Sequence, residues 1–170
     1  APAKTYDLRL QITGAFSDAA TFGPGILIDG SSYLKLKNPT PALNEYITYN
    51  MSLVEQGTMT IANPAGTRLL LKEAKVTVLD IDRFAGNNSD IGGFFTNSAF
   101  IQSGSRLTAL PPSASFPSGM VVYRQDYSFP GDGTNINPDY GITGYLHDFV
   151  SVDLIHGVTG TATYKTSNRG

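Results

Sequence analysis

The chain has 170 residues, 41% of them hydrophobic, a length within the usual range of one domain and a composition able to build a core. Charge is sparse, at 15% of residues and a net of −2, which excludes the basic footprint of a nucleic-acid-binding protein and the acidic balance of a solvating tail. Cysteine is absent, so there is no disulfide framework, thiolate metal site or cysteine nucleophile, and no apolar run approaches the roughly 18 to 20 residues that would span a bilayer.

From Thr5 to Thr13 the residues alternate strictly. Tyr6, Leu8, Leu10 and Ile12 lie on one face and Asp7, Arg9 and Gln11 on the other, the signature of a half-buried strand. A strand this regular at a chain end needs an acceptor, in its own domain or in a neighbouring molecule. The first division of the chain is therefore 1–13 as a strand and 14–170 as a body, with Gly14 letting the backbone turn away. The chain opens on Ala1, which suits a processed, exported protein at the cell surface or outside the cell.

Further along, Asn38-Pro39-Thr40-Pro41 marks a turn, and Ala42 to Tyr46 is helix-like but too short to stand alone. Period two then returns in Ile47, Tyr49, Met51 and Leu53, in Val76 and Val78, in Val121 and Tyr123, and in Val150, Val152 and Leu154. Gly- and Pro-rich punctuation separates these runs, at 63–66, 86–88, 111–112 and 130–133. Ser103 to Ser118 reads as a long loop inside the domain. About ten strands result, predicting a single-domain, all-β antiparallel sandwich of jelly-roll type.

Candidate chemistry is thin. His147-Asp148 and the pair Asp153 and His156 could be drawn as a metal cluster or an oriented base. In one extended strand, however, the members of each pair would point to opposite faces. Two acidic stretches raise calcium: Asp80, Asp82 and Asp90 with Asn87 and Asn88, and Asp132 and Asp139 with Asn135 and Asn137. Neither has the spacing of a helix-loop-helix calcium site, and such residues in Gly-rich turns commonly bond their own backbone. No metal or other cofactor is expected. Asn50-Met51-Ser52 and Asn87-Asn88-Ser89 are the two glycan acceptor triplets in view.

Nine Tyr and nine Phe could offer stacking platforms for sugars, although Trp is absent. Phe94, Phe95 and Phe100 read instead as core residues around a Gly-rich turn. Neither a nucleophile elbow nor a phosphate loop is present, so catalysis is not expected.

The stretch Gly14 to Phe22, with Phe16-Ser17-Asp18-Ala19-Ala20-Thr21 leading into Gly25-Ile26-Leu27-Ile28, resembles the opening of the camelysin and TasA family of exported biofilm-fibre subunits. Asn38-Pro39-Thr40 followed by Tyr46 to Leu53 and Gly57 to Ile61 is similar to the Pro turn, alternating strand and returning strand of that family. The resemblance covers the first 60 or so residues. It implies a jelly-roll subunit whose first strand completes the sheet of the next, as in bacterial fibres and archaeal pili. Tyr6, Leu8, Leu10 and Ile12 would be the donor anchors and identical subunits the partners. Two other readings are a carbohydrate- or ligand-binding sandwich and a jelly-roll shell protein.

Overall fold

The structure is a computed structural model. It describes residues 3–16, 25–28, 34–37, 45–85, 88–95, 99–112, 116–131 and 137–159. Twelve strands occur among the described residues: β1 Tyr6–Phe16, β2 Gly25–Ile28, β3 Leu34–Lys37, β4 Glu45–Glu55, β5 Leu71–Val78, β6 Arg83–Ala85, β7 Asn88–Phe95, β8 Ala99–Ser103, β9 Leu107–Ala109, β10 Met120–Gln125, β11 Ile142–Phe149 and β12 Val152–Thr159. The sole helical element among them is a 3₁₀ turn at Pro138–Tyr140, capped by the Asn137 side chain accepting from the Asp139 N–H.

The expected antiparallel β-sandwich is present, with layers of unequal size. One sheet runs β1-β4-β12-β7-β10-β9 with β6 also on β7, the other runs β5-β11-β8, and β2 and β3 form a hairpin pair. Neighbouring strands lie about 4.8 Å apart, so the path of six strands is roughly 24 Å wide and the smaller sheet roughly 10 Å. The core shared by the two sheets nonetheless draws on every strand of the larger path, from Leu10 of β1 to Leu107 of β9.

Register defines the inner face. Leu10 lies beside Met51 and Met51 beside Val152. The next row runs Ile12, Tyr49, Leu154, Phe94 and Val121. From the smaller sheet come Val76, Val78, Ile101, Ile142 and Leu146, which form one cluster with Leu10, Met51, Val152, Tyr49, Leu154 and Phe94 of the larger and with Ile81 and Phe149. Phe94 reaches across the sandwich to Gly144, where an added Cβ would sit 3.3 Å from the ring. Gly93, beside it, faces the other way, and a Cβ there would come within 2.4 Å of the Val121 carbonyl oxygen. A smaller cluster of Ile91, Val122 and Ile155, with Phe116 and Leu110, lies on the opposite face of the large sheet.

Four expectations are corrected. Glu45 and Tyr46 open strand β4 rather than ending a helix, because the strand pairs on both sides. The stretch 103–118 contains β9, which pairs with the end of β10. Phe94 is core, but Gly92-Gly93 lies inside β7 rather than in a turn, and Phe100 is 69% exposed. Residues 144–154 are not one strand. Asp148 adopts a left-handed φ of 46° that lets two outward residues, His147 and Asp148, precede buried Phe149, and β12 then continues in the other sheet.

The buried amide of Gln125 ties the far edge together. Its Nε2 donates to the carbonyls of Phe129 and Pro130, at 2.7 and 3.0 Å, and its Oε1 accepts from the Arg83 N–H. The Tyr140 hydroxyl donates to the Pro130 carbonyl at 2.5 Å, so one turn is held from two elements.

His156 falls on the inner face, opposite Ile47 and Gly92. Burial disfavours its charged form and pushes its pKa down to about 4. The neutral imidazole is therefore stabilising above the unfolded value near 6.5, and that contribution is lost as pH falls toward 4. The full shift corresponds to at most about 3 kcal/mol. Urea denaturation between about pH 7 and pH 4 should show stability falling, and His156→Gln should flatten that slope.

Candidate assembly interface

β1 pairs with β4 of its own chain at ten register positions, from Tyr6 opposite Glu55 to Phe16 opposite Tyr46. A bulge falls between Ile12 and Gly14, after which pairing resumes, so the division at residue 13 lies inside a continuous strand. Gly14 keeps the chain in the sheet here. Among the described residues the other edge of β1 carries no strand.

The four anchors do not share one environment. Leu10 packs against the main core cluster. Tyr6, Leu8 and Ile12 are 40%, 51% and 38% exposed. An eleven-residue edge strand with a part-exposed apolar face is the kind of edge that recruits another chain. Lys4, just before it, bonds Glu55 at 3.1 Å on the exposed rim.

Its opposite face is polar and incompletely paired. Arg9 lies beside Ser52, Gln11 beside Asn50, and Asn50 beside Asp153. Arg9 donates from Nε to the Pro64 carbonyl at 3.2 Å and from Nη2 to Gln11 at 2.7 Å. The Asn50 Nδ2 donates to Asp153 at 2.9 Å. Arg9 Nη1, Asn50 Oδ1 and Ser52 Oγ are buried without a hydrogen-bond partner. Each such atom forfeits about 1 to 3 kcal/mol of solvation, so the β1–β4 seam is held less tightly than its length suggests.

Asn50 is 9% exposed with its amide nitrogen engaged, so the folded strand does not present it as a glycan acceptor. Asn87 lies outside the described residues, as does Asp132. Among the described residues no group of three or more His, Asp or Glu side chains comes together to hold a metal. Asp82 and Asp90 are buried, the Asp90 N–H donates to the Asp82 carbonyl, and Asp80 sits at a left-handed φ of 64°. Asp139 faces Arg106 at 3.5 Å. His147 and Asp148 are exposed on β11, with Asp148 bonded to Lys72 at 2.7 Å, whereas Asp153 and His156 lie on opposite faces of β12. These positions hold structure and do not converge.

Comparison with protein-family models, curated proteins and solved structures finds no match. Much of the stretch that carries the fibre-subunit resemblance, 17–24 and 38–44 included, lies outside the described residues.

Two substitutions separate the roles of the seam. Leu10→Ala should cost about 1 to 3 kcal/mol in a urea melt and Leu8→Ala under about 1, since Leu10 alone among the anchors packs in the core cluster. Ser52→Ala removes an unsatisfied buried hydroxyl and should leave stability unchanged or raise it by up to about 1 kcal/mol.

Proposed function

We propose that the protein is a structural subunit that assembles with copies of itself by exchange of its first strand, β1 of one molecule completing the sheet of the next along β4. The observation that carries this reading is the edge position of β1, which among the described residues pairs with β4 alone, with Tyr6, Leu8 and Ile12 part-exposed. Exchange keeps every β1–β4 contact, so its driving force is what the assembly covers in addition. Covering the exposed portions of those three side chains is worth on the order of 2 to 4 kcal/mol. The contact is head-to-tail, so it propagates into a filament unless the rotation closes.

The lack of a native cysteine allows a clean test. Leu10 and Met51 are direct register partners, so Leu10→Cys with Met51→Cys places two thiols across the seam. Under exchange, oxidation of the assembled protein yields a ladder of covalent multimers on a non-reducing gel and filaments by negative-stain microscopy. A product that is monomeric throughout means that β1 stays on its own β4, and the proposal fails. Deleting 1–13 should abolish assembly, and the free peptide should raise the melting temperature of the truncated body by ligand linkage. A charge at Leu10 of the peptide should abolish that rescue.

A further inference from the structure

The outward face of the three-stranded sheet holds an organised set of side chains that the assembly reading does not use. Three cross-strand rows run over it. Thr77, Thr143 and Gln102 form the first, Lys75, Tyr145 and Phe100 the second, and Glu73 with His147 the third. At about 4.8 Å between strands and about 6.8 Å between same-face residues, the grid measures roughly 10 by 14 Å.

Its centre is aromatic. Phe100 is 69% exposed, and its ring centroid lies 6.0 Å from that of Tyr145 at an interplanar angle of 41°. The Tyr145 hydroxyl donates to Gln102 Oε1 at 3.2 Å, which fixes the ring and leaves both amide N–H donors of Gln102 outside that bond. Lys75 Nζ sits 5.9 Å from the Tyr145 centroid. The Thr77 and Thr143 hydroxyls are paired at 3.1 Å along the neighbouring row. The exposed Phe100 ring beside Tyr145 offers an apolar surface, set among polar side chains, on which a ligand with an apolar face can stack.

We propose that this face binds a neutral, β-linked polysaccharide chain. A pyranose with equatorial hydroxyls presents a flat C–H face to an aromatic ring and a rim of hydroxyls to the amide, hydroxyl and carboxylate groups around it. Rings at the centre and polar side chains at the margin match that amphipathic shape. The size agrees as well. The grid offers on the order of 140 Å², far below the roughly 800 Å² per partner of a stable protein interface, and comparable with one or two sugar rings. Charge argues against a polyanion, because Lys72 is paired with Asp148 and Lys75 shares its strand face with Glu73. The site lies on the sheet remote from β1 in strand order, so it stands or falls independently of strand exchange.

The test titrates the isotope-labelled full-length protein with cellohexaose and with chitohexaose, following backbone amide shifts. Saturable shifts centred on Phe100, Gln102 and Tyr145 with either sugar are expected. Phe100→Ala, at an exposed position that should not disturb folding, should weaken binding at least about tenfold. Gln102→Ala should weaken it several-fold while both rings remain. Absence of shifts at millimolar concentrations of both sugars overturns the proposal. So do shifts that map elsewhere, binding that survives Phe100→Ala, or a Phe100→Ala variant that loses self-association rather than sugar binding.

Discussion

The three-stranded sheet buries the six-strand path unevenly, and most of what distinguishes this molecule follows from that mismatch. Where the layers overlap, Phe94, Ile142, Leu146 and Leu154 are closed off from water. Close approach there requires the missing side chain at Gly144, since any larger residue would meet the Phe94 ring. At the edge, β1 keeps a ladder to β4 interrupted by one bulge but of its four anchors only Leu10 reaches the core, so its attachment depends more on hydrogen bonds than on burial. Net hydrogen-bond contributions of about 0.5 to 1.5 kcal/mol each make such a strand removable in a way that a buried one is not.

The two faces of the seam differ in what they leave unsatisfied. On one, Tyr6, Leu8 and Ile12 have burial still to gain. On the other, Arg9, Asn50 and Ser52 contain buried polar atoms without partners. Only the first can be relieved by a further neighbour, because the unpaired atoms belong to the seam itself. The far edge is the contrast. There Gln125 satisfies two carbonyls and a backbone N–H, and Tyr140 anchors the same turn. Stability is thus unevenly distributed, with the β10–β9 side tied and the β1 edge loosely held. The small sheet, by turning its aromatic row outward, leaves a second surface open to a partner of different chemistry.

Alternation made much of the fold legible. β1 and β4 follow period two because each has one apolar face toward the core, β10 and β12 also bury Val122 and Ile155 on the other face, and Gly–Pro punctuation marks the breaks between them. The stretch 103–118 read as a loop because β9 is a three-residue edge strand whose pairing with β10 is decided by tertiary contact, not by local pattern. The break at Asp148 was invisible for a related reason, since an aspartate in left-handed conformation looks like any other in a polar-apolar string. Asn50 carries an acceptor triplet that chain chemistry permits and strand pairing conceals.

What the sequence by itself determined is the period of each strand and hence which residues share a face: Tyr6 with Leu10, Tyr49 with Met51, Val152 with Leu154. Local sterics and side-chain alternation suffice for that. Which of those faces became interior was decided by the tertiary structure alone. Tyr49 and Leu8 follow the same pattern, yet one is core and the other half in water, because burial depends on whether a second sheet extends over the position. Phe100 faces outward for the same reason: its strand contributes one face to the sandwich, and the register with β11 placed Ile101 on it.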